Sequence, residues 1–183
     1  NELSYYNFRE QFNSATNKRL KSALFIYLNR HGYNGLCRYN QSGGYNVPFG
    51  RYIKPYFPEK EIKYFSQKAA RANFYAADYK KTMLLAQSND VVYCDPPYVA
   101  LSKTSNFTGY TKQPFDELDQ KTLRDLAETL ANKNICVIIS NHDTKLTREY
   151  YKNATLHSFN VSRVISCNSK NRKPVKELIA VYR

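Results

Sequence analysis

Apolar residues recur at helical spacing in several stretches of the chain. The pattern predicts helices over residues 4–13, 18–30, 59–70, 79–86, 116–131 and 144–152. In the second helix the apolar positions fall on one face, which we expect to lie in a core: Leu20, Ala23, Leu24, Tyr27 and Leu28. Gly32, directly after His31, is predicted to end this helix.

The helix predicted over 116–131 is amphipathic. Its apolar face is formed by Leu118, Leu123, Leu126, Ala127 and Leu130. Its acidic residues are Asp116, Glu117, Asp119, Asp125 and Glu128. Acidic side chains at the start of a helix interact favourably with its dipole, so we interpret these carboxylates as a solvated face and a stabilised first turn rather than as a catalytic pair.

Short apolar runs alternate with the helices from residue 59 onward. Strands are predicted over residues 73–77, 91–94, 135–139, 155–165 and 177–182. Strands that alternate with helices are typical of an α/β sheet. The run over 91–94 stops abruptly at the tetrapeptide D-P-P-Y (95–98), which places that tetrapeptide at the carboxyl end of a strand.

Residues 31–58 show no regular period. They hold every glycine of the chain except Gly109, and three of its seven prolines. The pair Gly43-Gly44 predicts the tip of a hairpin between short extended arms. A segment this long without regular structure is usually functional or disordered, and its many aromatic residues argue against disorder. We therefore expect two domains, residues 1–58 and residues 59–183.

The composition narrows the classes of function. The chain has 183 residues and a formal net charge of +13. No stretch approaches the roughly 18 uninterrupted apolar residues of a membrane span, so we expect no membrane partner. The four cysteines form no C-x-x-C pair and the three histidines are scattered. We therefore expect reduced thiols, no metal site and a cytoplasmic protein.

The positive charge lies at the two ends of the chain. Residues 1–60 contain nine Lys and Arg against three Asp and Glu, a net +6, and residues 163–183 contain six against one, a net +5. Such a distribution favours a polyanionic partner, and the aromatic residues among the arginines suit base stacking. Composition alone leaves a generically basic surface as an equally open alternative.

The D-P-P-Y tetrapeptide carries the strongest chemical signal. The exocyclic amine of adenine or cytosine is a weak nucleophile because its lone pair is delocalised into the ring. The Asp95 carboxylate can accept one N–H of such an amine, and a carbonyl of the restricted Pro-Pro pair can accept another. Tyr98 can stack on the base, which must leave the duplex to reach this pocket.

With this motif the sequence resembles the amino-directed DNA methyltransferases, and specifically the Dam-type adenine-N6 methyltransferases that modify GATC. The resemblance covers essentially the whole chain, and the block over 27–59 is its most specific part. The segments that carry it are YLNRHGYNGLCRYN (27–40), NVPFGRY (46–52), KPYFPE (54–59), VVYCDPPY (91–98), NFTGY (106–110), ISNHDT (139–144) and LTREYY (146–151).

The resemblance implies a fold, a catalytic motif and a cofactor. The fold is the C-terminal part of a Rossmann-like methyltransferase sheet, preceded by a target-recognition domain of helices and a β-hairpin. The motif that holds the target adenine is matched by Asp95, Pro96, Pro97 and Tyr98. Asp78 and Tyr79 fall where relatives contact S-adenosylmethionine, and Asp95 is implied to lie close to its methionyl end.

The resemblance also implies how duplex DNA is contacted. Arg38 is implied to read a guanine edge, which suits the bidentate Arg–guanine geometry. Leu36 and Pro48 are implied to touch a thymine methyl group, and Tyr33 to wedge into the base stack with Asn34 near the orphaned partner. Further DNA contacts are implied for Arg9, Asn40 and Arg51. For each arginine, a surface or salt-bridged role is the alternative.

The sequence departs from the family pattern in one respect. The glycine-rich cofactor loop of the family, F-x-G-x-G, and the W-x-G-G-K segment before it occur nowhere in residues 1–183. Both normally lie upstream of the matched region, so we expect the chain to correspond to the recognition domain and the C-terminal part of the catalytic domain. We also expect a monomer, in the bacterial nucleoid or in the cytoplasm of a phage-infected host.

Three functions stay open on the sequence. The first is a GATC-directed adenine-N6 methyltransferase, which the D-P-P-Y motif and the 27–59 block favour. The second is a DNA-binding module without activity, because the cofactor loop does not occur in these residues. The third is an amino methyltransferase that acts on cytosine N4 or on RNA.

Overall fold

The computed structural model describes residues 1–100, 115–162 and 174–183. Its helices are α1 (Glu2–Ser14), α2 (Lys18–His31), α3 (Glu59–Ala69), α4 (Tyr79–Met83), α5 (Glu117–Ala131) and α6 (Lys145–Tyr150). Its strands are β1 (Val91–Cys94), β2 (Cys136–His142), β3 (Thr155–Val161) and β4 (Val175–Tyr182). The chain divides into two compact units, Asn1–Tyr75 and Ala76–Arg183.

The division between the units falls later than the boundary predicted at residue 58, because α3 belongs to the first unit. The Tyr56 hydroxyl donates a hydrogen bond to the Glu61 carboxylate of α3 at 2.7 Å. The Tyr56 carbonyl accepts a hydrogen bond from Arg30 Nε of α2, also at 2.7 Å. The change of pattern at Glu59 therefore marks the start of a helix and not a boundary between compact units.

The first unit packs α1 and α2 against the irregular segment that follows them. Its buried core is half aromatic and consists of Tyr5, Phe12, Leu24, Leu28, Tyr45 and Val47. Leu20 and Ala23, which we predicted to be buried, are exposed. Tyr45 and Val47 of the irregular segment complete the core, so the first turns of α2 remain in solvent.

Residues 32–49 form the hairpin that the paired glycines predicted. Antiparallel bridges join Tyr39 to Tyr45 and Gly32 to Phe49. The side chain of Asn40 closes the tip, because its Oδ1 accepts a hydrogen bond from the Gly44 N–H at 2.8 Å. Gly43 adopts a φ of 84° there, a conformation that glycine takes without steric cost.

The second unit contains a mixed sheet of four strands in the order β1-β2-β4-β3. β1 and β2 run parallel, whereas β4 is antiparallel to both β2 and β3. The apolar face of α5 contributes Leu123, Ala127 and Leu130 to the core of this unit. Leu118 lies in the first turn of α5 and is 71% exposed, contrary to prediction. The α/β architecture is confirmed.

Residues 73–77 do not form the predicted strand. Phe74 and Tyr75 are 71% and 73% exposed, and the ring centroid of Phe74 lies 6.3 Å from that of Phe65 in α3. Aromatic residues favour strands through packing against neighbouring strands, and no strand among the described residues pairs with this segment. The strand predicted over 155–165 ends at Val161, so Ser162 lies beyond it, and residues 163–165 are outside the described ranges.

Three further predictions concern metals, membranes and thiols. In the described part of the chain, no helix is long and apolar enough to cross a bilayer. The same residues contain no group of three or more His, Cys, Asp or Glu side chains that could hold a metal ion. Cys37, Cys94 and Cys136 are free thiols, whereas Cys167 and the NFTGY segment lie outside the described residues.

Candidate functional site

The D-P-P-Y motif lies where the parallel strands β1 and β2 reach their carboxyl ends. Because Cys94 pairs with Ile139, the next residue of each strand, Asp95 and Ser140, come together. Ser140 Oγ donates a hydrogen bond to Asp95 Oδ1 at 2.7 Å and accepts one from the Tyr93 hydroxyl at 3.2 Å. Ser140 is buried and Asp95 is exposed, so an interior hydroxyl orients a carboxylate that faces solvent.

Tyr98, the last residue of the motif, is held between polar and aromatic neighbours. Its ring meets that of His142 edge-on, with 5.0 Å between the centroids. The side chains of Ser140 and Asp95 both influence the pKa of its hydroxyl. Burial raises the pKa of Tyr98 to about 12, and the charge of Asp95 acts in the same direction. The phenol is therefore neutral at physiological pH.

The backbone of the motif is held by two buried side chains that the sequence analysis did not single out. Gln120 Nε2 donates a hydrogen bond to the Pro97 carbonyl at 2.9 Å. The Val99 N–H donates one to Asn141 Oδ1, also at 2.9 Å. A signal for Gln120 existed, since it is a polar residue at helical spacing with the buried Leu123 of α5.

Two acceptors of the motif remain, and they belong to the consecutive residues Asp95 and Pro96. No hydrogen bond from a described residue ends on the Pro96 carbonyl, whereas the Pro97 carbonyl receives Gln120. The carboxylate of Asp95 precedes it directly, and only its Oδ1 is engaged by Ser140. A planar amine offers two N–H donors in one plane, and this pair of acceptors is suited to receive both.

Asp78 and Tyr79, the predicted cofactor contacts, begin α4. Asp78 Oδ1 caps the helix by accepting a hydrogen bond from the Lys80 N–H at 2.9 Å. The Tyr79 hydroxyl donates to the Asp119 carbonyl at 3.3 Å, and its ring packs against that of Phe115. Both side chains therefore have structural contacts, and the strand predicted over residues 73–77, directly before Asp78, does not form. Their cofactor role stays a prediction.

Most of the residues predicted to contact DNA lie in the hairpin of the first unit and in the turns at its ends. They are Tyr33, Asn34, Leu36, Arg38, Asn40, Pro48 and Arg51. Tyr33 is 46% exposed. Asn34 and Arg51 have φ angles of 52° and 54°, in the left-handed region that residues other than glycine rarely adopt. The Asn34 N–H donates to the Tyr52 hydroxyl at 3.0 Å.

Arg38 is exposed and its guanidinium group is oriented by a single neighbour. Its Nε donates a hydrogen bond to Asn46 Oδ1 at 2.8 Å, and its Nη2 donates one to the Asn46 carbonyl at 3.0 Å. A guanidinium group carries five N–H donors. The two bonds to Asn46 therefore fix the side chain in place and still leave donors on both Nη atoms to contact a partner.

Arg9 and Leu36 take part in the core contacts of the first unit. Arg9 Nη1 donates to the Val47 carbonyl at 3.1 Å, and its guanidinium lies 4.6 Å from the centre of the Tyr6 ring. Leu36 is half-buried against the aromatic core, and its carbonyl accepts a hydrogen bond from the Tyr45 hydroxyl at 3.0 Å. A DNA contact by either residue stays a prediction.

Comparison with known proteins assigns a family to this arrangement. Residues 1–165 match the family described as D12 class N6 adenine-specific DNA methyltransferase. The chain is 53% identical over 179 residues to a DNA adenine methylase of Escherichia coli (strain K12), 52% over 178 residues to one of Salmonella typhi, and 50% over 179 residues to one of Vibrio cholerae serotype O1. These matches cover 98%, 97% and 97% of the chain but 64%, 64% and 65% of the relatives.

Proposed function

The chain belongs to the D12 class of N6 adenine-specific DNA methyltransferases, and we propose that it serves to transfer a methyl group from S-adenosylmethionine to N6 of adenine in the duplex sequence GATC. The observation that carries this proposal is a pair of acceptors on consecutive residues after β1, the Asp95 carboxylate and the Pro96 carbonyl, in the motif that ends with the ring of Tyr98. An exocyclic amine matches that pair because it presents two N–H donors.

Each part of the motif has a distinct role in the proposed reaction. S-adenosylmethionine, when bound, supplies an electrophilic methyl group. Asp95 accepts one N–H of the target amine and the Pro96 carbonyl accepts the other, which localises the lone pair on N6. Ser140 holds the carboxylate in place, so the site is organised before the base arrives. Because Asp95 is exposed, the proton that N6 releases can leave to water.

The target base has to leave the duplex, because pairing and stacking enclose its amine. The Tyr98 ring offers a replacement stacking surface for the extruded adenine. Its edge-on contact with His142 of β2 holds the ring at the same end of the sheet as the two acceptors. The aromatic ring therefore contributes binding to the flipped base, while the two acceptors act on its amine.

The residues present fit one end of the cofactor. The exposed Asp95 carboxylate is suited to pair with the ammonium group of the methionyl end. Asp78 uses one carboxylate oxygen for the cap of α4 and retains the other for a hydroxyl or ammonium donor. The assignment of Asp78 and Tyr79 to the cofactor rests on the family resemblance.

We assign target recognition to the first unit. Its hairpin presents the exposed residues Tyr33 and Arg38, the turn after the hairpin presents Arg51, and the charge of the unit is strongly positive. Fixed arginine donors suit the guanine edge in the major groove, and an exposed aromatic ring suits insertion into a base stack. The second unit, with the sheet of a Rossmann-like methyltransferase, holds the catalytic motif.

The proposal is tested by methyl transfer to a duplex that contains one GATC site, followed by analysis of the modified nucleosides. We expect N6-methyladenine as the product, and much slower transfer when any one base pair of the site is changed. Methylated cytosine as the product would instead support the alternative of a methyltransferase that acts on cytosine N4. DNA binding without any methyl transfer by the full-length protein would support the alternative of an inactive DNA-binding module.

A further inference from the structure

Three buried polar side chains form a closed triangle behind the D-P-P-Y motif. Asn141 Nδ2 donates to Gln120 Oε1 at 3.2 Å and to the Tyr151 hydroxyl at 3.1 Å. The Tyr151 hydroxyl donates in turn to Gln120 Oε1 at 2.9 Å. Gln120 is 3% exposed, and Asn141 and Tyr151 are fully buried. Burial raises the pKa of Tyr151 to about 12, so its hydroxyl remains a donor at physiological pH.

Asn141 uses its full hydrogen-bonding capacity. Its Oδ1 accepts from the N–H groups of Val99 and His142, both at 2.9 Å. Its two Nδ2 donors go to Gln120 and Tyr151. A primary amide offers two donors and one oxygen with two lone pairs, and here all four positions are occupied. The orientation of this amide is therefore determined by its surroundings.

The orientation of the Gln120 amide is determined in the same way. Because Gln120 Oε1 faces the donors of Asn141 and Tyr151, its Nε2 points to the Pro97 carbonyl, to which it donates at 2.9 Å. The two amides thus join the Val99 N–H to the Pro97 C=O. They hold the backbone immediately before and immediately after Tyr98.

The sheet itself cannot hold this backbone. The ladder between β1 and β2 ends at the pair Cys94 and Ile139, and the next residues of the motif include Pro96 and Pro97, which have no N–H. Buried polar groups cost free energy unless they are fully paired. Three such side chains, from α5, β2 and the end of α6, can hold this backbone by hydrogen bonds, which apolar packing cannot provide.

We propose that Gln120 and Asn141 are positioning residues of the catalytic motif, which clamp the backbone on both sides of Tyr98 through the Pro97 carbonyl and the Val99 N–H. The clamp fixes where the Tyr98 ring stands. It also occupies the Pro97 carbonyl, so that the Pro96 carbonyl is the acceptor presented beside Asp95. This role rests on the proposed methyl transfer, but the clamp is a property of the protein and is measurable without it.

The test compares two variants of the same triangle in the full-length protein. Gln120→Met keeps the length of the side chain and removes the bond to the Pro97 carbonyl. Tyr151→Phe removes one hydroxyl from the triangle and leaves both bonds to the motif in place. A merely structural triangle predicts similar effects of the two substitutions, whereas a clamp predicts that only Gln120→Met disturbs the motif.

We expect Gln120→Met to lower kcat about tenfold to a hundredfold, the size of effect that a displacement of about 1 Å has on a reacting group. KM for S-adenosylmethionine and affinity for GATC duplex should change little. Exchange of the Val99 amide hydrogen should accelerate at least about tenfold, because the opened loop releases its hydrogen bond. In Tyr151→Phe, both quantities should stay within about threefold of the parent protein.

Hydrogen exchange separates the clamp from the proposed reaction. If the parent protein transfers no methyl group, the proposed function fails, and the Val99 exchange rates still decide whether the clamp exists. Gln120→Asn, which is one methylene shorter, replaces Gln120→Met if that variant does not fold. Equal kcat and equal Val99 exchange in the Gln120 and Tyr151 variants would overturn the proposal.

Discussion

The two units differ in where side-chain hydrogen bonds hold the backbone. In the first unit, side chains of α1 form hydrogen bonds directly with the hairpin. The Tyr5 hydroxyl donates to the Val47 carbonyl at 3.0 Å. Asn13 Oδ1 accepts from the Tyr45 N–H at 2.8 Å, and Asn13 Nδ2 donates to the Tyr45 carbonyl at 3.2 Å. In the second unit, sheet hydrogen bonds hold the backbone as far as Cys94. Side-chain bonds take over only beyond that point.

The cores of the two units also differ in their amino-acid composition. Tyrosine and phenylalanine make up half of the buried residues in the first core, whereas aliphatic residues such as Val137, Ile139 and Leu178 dominate the second. Burial raises the pKa of Tyr5 and Tyr45, so both phenols remain protonated and donate to backbone carbonyls. Replacing a polar side chain that holds the hairpin should therefore distort the surface of the first unit. In the second unit, a side chain of the D-P-P-Y motif can be replaced without loss of the fold.

The largest effect is expected from Asp95→Ala, which should lower kcat by about a thousandfold or more, because it removes the acceptor closest to the target amine. Duplex affinity and the unfolding transition should change little, since Asp95 is exposed and follows the last residue of β1. Methyl transfer to a GATC duplex measures the effect. Asp125→Ala, an exposed carboxylate of α5, is the matched control, and appreciable turnover by Asp95→Ala would contradict the assigned mechanism.

The next largest effect is expected from Arg38→Ala in the first unit. A bidentate Arg–guanine pair contributes about 1–3 kcal/mol of discrimination, so preference for GATC over a site with that guanine changed should fall about tenfold to a hundredfold. Arg51→Ala should weaken binding more uniformly. Methylation rates on GATC and on singly substituted duplexes measure both. If Arg38→Ala keeps full discrimination, the reading element lies elsewhere.

A smaller effect is expected from Asn13→Ala, which tests how the first unit holds its hairpin. Loss of both bonds to the buried Tyr45 backbone should lower the free energy of unfolding by about 1–2 kcal/mol. Denaturant unfolding measures the loss, and faster exchange of the Tyr45 amide hydrogen locates it. Asn153→Ala, which loses one exposed bond to Glu128 (3.0 Å), should change little. Equal stability of the two variants would mean that the hairpin does not depend on Asn13.

The smallest effect is expected from Tyr98→Phe. The ring is retained for stacking, and only the hydroxyl is lost. We expect kcat to stay within about fivefold of the parent value, whereas Tyr98→Ala should lose much more because stacking contributes about 1–3 kcal/mol per base. A large loss in Tyr98→Phe would assign the hydroxyl itself a role in the reaction.

Features that depend on nearby residues were predictable from the sequence. The position of D-P-P-Y after a strand follows from the apolar run before it, and the hairpin tip follows from Gly43-Gly44. Residues 73–77 have the composition of a strand but pair with no strand in the part of the chain that the structure describes. Their conformation depends on the rest of the fold and could not be derived from local pattern.

The contacts that organise the site could not be predicted, because they join distant parts of the chain. Gln120 reaches Pro97 across 23 residues, and Asn141 reaches Val99 across 42. Arg9 reaches the Val47 carbonyl across 38. Periodicity shows that a polar residue lies on a buried face, but the identity of its partner depends on how helices and strands pack.

Selection for thermostability alone would act against Arg51 and so against the proposed DNA binding. The Arg51 φ of 54° costs a residue with a Cβ about 1 kcal/mol, and glycine would avoid that strain. A library selected only for thermostability would therefore enrich Arg51→Gly and discard a cation of the surface proposed to meet DNA. Evolutionary engineering of this scaffold needs a DNA-binding round in each cycle, because heat alone rewards the removal of this side chain.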